Sequence, residues 1–327
     1  MNTEAQIVLV AGGGAMGSGI ALACALGGKR VRVMDRDVRA LEASRCSIAD
    51  KWNFMVHKGL VSRESERFIN EIAYFPATDI SSVVDDVALC FEALPDELDL
   101  KQALTARLVT TLPPPAPVAT NSSNLLVDDI VAPIRERGRV LSAHWINPPH
   151  IMPLVEVAPG TETDPEAVQI TRQFLEDIGK RPLLLARDIP GRIANRLHFA
   201  LLNEAIRLLQ SGVARAEDID AAARYSFLPR HILFGPLCAQ DLYGTKTGSL
   251  KILGYLSEVT ANPVYAPTQL HRERASLEQD GDIPGSHWCK SGLPDRRVSD
   301  ERIVDLLKLL ISQDGDEASR PGRQSAT

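Results

Sequence analysis

The chain has little of what marks secreted, membrane or nucleic-acid-binding proteins. Its 327 residues include only five cysteines. Cys24, Cys46, Cys90, Cys238 and Cys289 are scattered, and none has the close spacing of a metal site. That argues against a disulfide framework or a bound metal, and for free thiols in a reducing cytoplasm. Positive charge is also short: 36 Lys and Arg stand against 42 Asp and Glu, a net charge of -6. Such a balance gives no reason to expect nucleic acid or an anionic membrane surface as partner. The longest apolar runs fall far short of the roughly 20 residues that span a bilayer. An apolar run begins soon after Met1, so no secretory leader is expected. No internal repeat stands out.

What the chain does have is ample apolar content, 44% of residues, and enough length for two domains. It opens on Ile7-Val8-Leu9-Val10-Ala11-Gly12-Gly13-Gly14-Ala15-Met16-Gly17. This reads as a strand, a Gly-x-Gly-x-x-Gly loop and a helix start. Gly12 permits the tight turn, Gly14 lets a phosphate approach the backbone, and Gly17 lets the helix lie close to the sheet. The N–H groups at Ala15 and Met16 then face the anion at a helix N-terminus. A second strand, Arg30 to Met34, ends in Asp35, where a carboxylate would meet a ribose 2′-hydroxyl and repel a 2′-phosphate. NAD is therefore the expected cofactor, with Arg36 the one neighbour that would suit NADP.

Strand and helix alternate up to about residue 189, the pattern of an α/β, doubly wound, mostly parallel sheet of Rossmann type. A helical stretch after Asp35 runs toward Glu71. Strands are expected at Ile72–Phe75, Val87–Glu92, Val118–Thr120, Val140–His144, Leu154–Val157 and Pro182–Leu185. Beyond Asp188-Ile189-Pro190-Gly191 the period becomes helical: Ile193, Leu197, Leu201, Ala205 and Leu208 lie on one stripe, with helices following at Ala216–Arg224 and from Leu237. The expected domains are 1–189 and an all-α 190–312, with a disordered tail from Gln313.

One segment carries candidate chemistry. Between His144 and Glu156, two β-like runs flank a proline-rich reversal centred on His150. Antiparallel pairing would set His144 opposite Glu156. A carboxylate that orients an imidazole makes a general base toward an alcohol, which a dehydrogenase requires. A buried histidine with a satisfied hydrogen bond would leave the same pattern.

These motifs together resemble the L-3-hydroxyacyl-CoA dehydrogenase family. The resemblance rests on the glycine loop, Asp35, Asn121-Ser122-Ser123, His144-Trp-x-Asn147-Pro, Glu156 and Asp188-x-Pro-Gly-x-x-x-Asn195-Arg, and covers about residues 5–292. Its branches include carnitine and L-gulonate dehydrogenases, lambda-crystallin and the pyridine-carboxylate dehydrogenases, whose His-Trp wording is the nearest. It implies an NAD-dependent oxidoreductase of fatty-acid-type metabolism and a homodimer formed through the helical domain. His144 would be the base, Glu156 its partner, and Ser123 and Asn195 the groups on the substrate oxygen. Asn147 would lie beside the nicotinamide, with Ser123 nearby. Asp96 and Lys101 match a segment that touches the cofactor, and Lys290 stands where a tail lysine reaches it. Lys51 and Lys58 fall where coenzyme A is held.

Taken singly, these residues have plainer readings. Asn-Ser-Ser-Asn is a common turn composition. Asn195 suits a solvent-facing helix position, Lys101 a surface lysine, and Lys51 and Lys58 a solvated helix face. The chain also departs from the family. Arg192 replaces an aromatic and His150 an apolar residue, which together would suit a substrate carboxylate, or both would face water. The aromatic end of the family tail is missing. The expected substrate is a 3-hydroxyacyl-CoA, the alternative a small free hydroxy- or formyl-carboxylic acid, and the least favoured reading a silent cofactor-binding protein of the crystallin kind. The 6-phosphogluconate type of dehydrogenase, which uses a helical lysine, fits less well than the upstream His/Glu pair.

Overall fold

The computed structural model describes residues 6–279 and 296–318. The chain divides into two compact units, 1–201 and 202–327. The first begins with β1 (Ile7–Ala11), α1 (Ala15–Leu26), β2 (Arg30–Asp35), α2 (Val38–His57), α3 (Glu66–Asn70), β3 (Ala73–Pro76) and β4 (Val87–Glu92). It continues with α4 (Leu98–Thr111), β5 (Val118–Thr120), α5 (Val127–Val131), β6 (Val140–Trp145), β7 (Leu154–Pro159), α6 (Pro165–Asp177) and β8 (Arg181–Leu184). The helix α7 (Ala194–Gln210) crosses the division. The second unit holds α8 (Ala216–Tyr225), α9 (Leu228–Tyr243), α10 (Lys246–Thr260), α11 (Gln269–Gln279) and α12 (Arg296–Ala318). No described helix is long and apolar enough to cross a membrane.

The strands form one sheet in the order β3-β2-β1-β4-β5-β6-β7-β8. Every pair is parallel except β6 with β7. β1 sits inside this sheet because all five of its residues are apolar and buried. Val8 and Val10 join a core with Ile20, Leu41, Ile48 and Trp52. Ile7, Leu9 and Ala11 join the core on the other face, with Leu108, Val109, Val127 and Val131. A strand covered on both faces has no polar side to offer. Truncating fully buried Leu9 to alanine would cost about 2–5 kcal/mol. The chain leaves β1 toward β2 on one side and reaches β4 on the other, so a crevice opens at the carboxyl ends of these strands, where such sheets bind ligands.

Several local expectations need correction. The helical stretch after Asp35 is not continuous. Asp37 caps α2 by accepting from Ala40 N–H at 2.8 Å, and the helix stops before Gly59, which takes φ +67°. A 3-10 turn at Arg63–Ser65 precedes α3. The third helix of the later region starts at Leu228, and Gly235 at φ +74° kinks it ahead of Pro236, which brings no N–H to the ladder. Residues 313–318, expected to be disordered, continue α12.

Candidate active site

The glycine loop at the end of β1 shows why each small residue is needed. Gly12 takes φ +99°, and a Cβ there would lie 2.9 Å from the Ala93 carbonyl oxygen. A Cβ on Gly17 would lie 1.7 Å from the Gly12 carbonyl oxygen, so only glycine lets α1 pack against the turn. At Gly14 a Cβ would meet nothing within 4 Å. That open space adjoins a helix start with no side-chain cap, so the first N–H groups around Ala15 and Met16 point outward unpaired. Asp35 at the end of β2 accepts from Gly13 N–H and Arg36 N–H, both at 2.7 Å. An anion cradle beside a carboxylate for a ribose diol fits a dinucleotide. Gly13, not among the expected contacts, is also required in the loop, since a Cβ there would stand 2.6 Å from Ser44 Oγ of α2.

The pairing of β6 with β7 sets His144 opposite Glu156. His144 Nδ1 lies 2.9 Å from Glu156 Oε2, and both residues are buried. The other oxygen, Oε1, accepts from Ile193 N–H and Ala194 N–H at 2.9 Å each. Burial alone would raise the Glu156 pKa. The hydrogen bonds from His144 and from the two N–H groups outweigh it and hold the carboxyl below its ordinary value. An ionised carboxylate only accepts, so Nδ1 carries the proton and Nε2 is left as the basic nitrogen. Asn195 follows at once, half-buried in the first turn of α7.

Ser123 stands past the end of β5. Its hydroxyl donates to Asp96 Oδ2 at 3.0 Å and its N–H to the same oxygen at 3.2 Å. Burial pushes the Asp96 carboxyl up, but hydrogen bonds from Ser122 and Ser123 and the Lys101 charge bring it below the ordinary value. Asn121 Oδ1 accepts from Trp145 N–H at 2.8 Å, which joins the ends of β5 and β6. Asn147 is exposed beyond β6, in a cis bond to Pro148.

Three further sites behave differently from expectation. Lys101 is fully buried and donates to Glu92 Oε1 at 2.8 Å, Glu92 Oε2 at 3.0 Å and the Leu94 carbonyl at 3.0 Å. Its ammonium is enclosed and also lies 3.5 Å from Asp96 Oδ1, so it braces the end of β4. Arg192 neither lines a mouth nor faces water. It too is fully buried, and donates to the Ser122 carbonyl at 2.6 Å and to Asp188 Oδ2 at 3.4 Å. His150 is half-buried, and a Cβ on Gly19 of α1 would lie 3.2 Å from its Nδ1. Burial and the charges of Lys51 and Lys180 lower its pKa below the ordinary value. Arg192 and His150 therefore do not form a joint carboxylate clamp.

Lys51 donates to Ser18 Oγ at 3.0 Å and also meets Ser47 Oγ, while Lys58 is exposed at the end of α2. Lys290 lies outside the described residues. Lys180, not among the expected site residues, donates to the carbonyls of Pro149 and Met152 and so fixes the reversal after β6.

A doubly wound sheet with this cradle at its switch point defines a dinucleotide-binding domain. Comparison with known proteins agrees. Residues 7–189 match the family model of the 3-hydroxyacyl-CoA dehydrogenase NAD-binding domain, and residues 191–291 match that of its C-terminal domain. The chain thus belongs to the 3-hydroxyacyl-CoA dehydrogenase family, NAD-dependent oxidoreductases acting on CH–OH groups. It is 30% identical over 308 residues to the L-carnitine dehydrogenase of Bacillus cereus, covering 93% of this chain and 92% of that one. It is 34% identical over 310 residues to the 3-hydroxyadipyl-CoA dehydrogenase of Escherichia coli, covering 94% of this chain and 62% of that protein. A solved 3-hydroxyacyl-CoA dehydrogenase from Archaeoglobus fulgidus superposes with a TM-score of 0.75 at 27% identity, over 93% of this chain and 99% of that one.

Proposed function

We propose that the chain oxidises a secondary alcohol with His144 as general base. The observation that carries this is the 2.9 Å contact of His144 Nδ1 with the Glu156 carboxylate. It aims Nε2 at a hydroxyl proton and stabilises the imidazolium that forms. NAD, held through Gly12, Gly14, Ala15, Met16, Gly17 and Asp35, supplies the hydride acceptor. The Ser123 hydroxyl turns from Asp96 to hydrogen-bond the reacting oxygen, Asn195 makes the second contact to it, and Asn147 lies beside the nicotinamide. In the reverse direction the imidazolium returns the proton to the carbonyl oxygen.

The first substrate class is a 3-hydroxyacyl-CoA, in keeping with the acyl-CoA relatives and with a place in fatty-acid-type metabolism. Lys58, exposed at the end of α2, is a contact for the coenzyme A part. A small hydroxy acid without coenzyme A is the second reading. It is favoured by Lys51, whose ammonium is already lodged on Ser18 and Ser47, and by the near full-length match to a carnitine dehydrogenase. Here Lys51 and His150 flank the substrate. Reduced-cofactor absorbance with L-3-hydroxybutyryl-CoA, L-carnitine and L-gulonate separates them. Turnover of the thioester alone supports the first reading, turnover of a free acid alone the second, and turnover of none contradicts both.

We further infer a cytoplasmic homodimer built through the helical unit. Ile232, Ile252 and Tyr255 are each more than 60% exposed, and neither α7 nor α8 has a buried residue. Apolar surface on this scale needs a cover, and a second copy is the simplest one. Light scattering at the mass of one chain would contradict it.

A further inference from the structure

Arg192 occupies an unusual position. It is one of the two non-glycine residues with positive φ among those described, at +45°, and its long cationic side chain is fully buried. Both features are costly, and they persist only where the surroundings over-determine them. The surroundings are specific. Nη1 donates to the Ser122 carbonyl at 2.6 Å, and Nη2 is 3.4 Å from both the Leu125 carbonyl and Asp188 Oδ2. Nε lies 3.3 Å from Asp188 Oδ1. Asp188 in turn accepts from Val127 N–H at 2.9 Å. Ser122 Oγ closes the same loop by accepting from Leu125 N–H at 2.9 Å.

One guanidinium thus joins two segments that carry separate parts of the site. The first, between β5 and α5, holds Ser123. The second, Asp188 to Ala194, runs into α7, is held by Glu156 and leads to Asn195. The charge of Arg192 also faces Glu156 and Asp96, the partners of His144 and Ser123. No apolar side chain can donate to two carbonyls and a carboxylate at once. A lysine keeps the charge but not the planar fork.

We propose that Arg192 is a positioning residue, which locks the Ser122–Leu125 loop to the turn before α7 and so fixes Ser123 relative to His144. It touches neither substrate nor cofactor. Its role in turnover rests on the general-base reading above, whereas its role in ordering the loop does not.

Two measurements on the full chain test this, using Arg192→Met, Arg192→Lys and the double variant Asp188→Asn/Arg192→Met. The double variant removes both buried charges, so it keeps the test open should Arg192→Met fail to fold. Amide hydrogen exchange of residues 122–127 is expected to speed up by about tenfold or more in the folded Met variants, with β1 and β4 unchanged. With whichever of L-3-hydroxybutyryl-CoA or L-carnitine the unaltered protein oxidises, kcat is expected to fall about tenfold to a hundredfold while the KM for NAD stays within about twofold. Arg192→Lys should recover part of the loss. Unchanged exchange at 122–127 and unchanged kcat in the folded double variant would overturn the proposal. Turnover of neither substrate by the unaltered protein would count against the general-base reading, and the exchange result alone would then decide the loop's dependence on Arg192.

Discussion

Glu156 binds His144 with one carboxylate oxygen and the start of α7 with the other, 2.9 Å from each donor. A single buried side chain therefore orients the proposed base and anchors the helix that carries Asn195. Replacing Glu156 by glutamine keeps the volume but puts an amide where only an acceptor fits. Turnover is expected to drop by about a hundredfold or more, since a mis-set imidazole loses both the base and its orientation. Steady-state kinetics with saturating NAD is the measurement.

The same carboxyl gives a pH signature. Its folded pKa lies below the ordinary 4.5, because donors from His144 and the two backbone N–H groups outweigh burial. As pH falls through that range, the unfolded carboxyl takes up a proton before the folded one, so the stability it contributes is present above about 4.5 and disappears as pH falls through the folded value. Urea unfolding between pH 6 and pH 3 should show a stability difference between the native chain and Glu156→Gln that shrinks toward acid. A constant difference would mean that Glu156 acts only through packing.

Gly14 and Gly17 make a contrasting pair. A methyl group on Gly17 would drive into the Gly12 carbonyl, whereas one on Gly14 meets empty space at φ -64°. Gly17→Ala should lose about 1–3 kcal/mol of stability. Gly14→Ala should melt within about 1–2 °C of the native protein, as surface changes do, yet bind NADH more weakly by about tenfold, because the methyl group stands where the pyrophosphate must approach. Thermal unfolding and fluorescence titration separate the two effects.

The thiols give a test of the core. Burial pushes Cys24 up to about 12 and Cys90 higher still, so both stay protonated and enclosed. Cys46 is exposed on α2. Mass-spectrometric mapping after brief alkylation of the native protein at pH 8 should find Cys46 modified and Cys24 and Cys90 intact until denaturant is added.

Much of this was legible in the residues alone. The alternation of apolar runs located the strands, because covered strands must be apolar throughout, and the symmetric spacing about His150 placed Glu156 across from His144. Buried charge was harder to read. Lys101 and Arg192 look like surface or substrate-facing residues in a linear sequence, since nothing local reveals that Lys101 folds back onto Glu92 or that Arg192 reaches the Ser122 carbonyl, far away in the chain. The four-residue spacing of Asp188 and Arg192 was the one available hint. The break at Gly59 and the kink at Gly235 escaped for another reason: a glycine marks a permitted positive φ, not a required one.

The most direct test of the account is His144→Gln. The amide retains a donor toward Glu156 but cannot accept a proton from an alcohol. With the substrate oxidised by the unaltered protein, kcat is expected to fall by at least about a thousandfold, with NADH affinity unchanged in titration. Turnover at the unaltered rate by a folded His144→Gln protein would contradict the account.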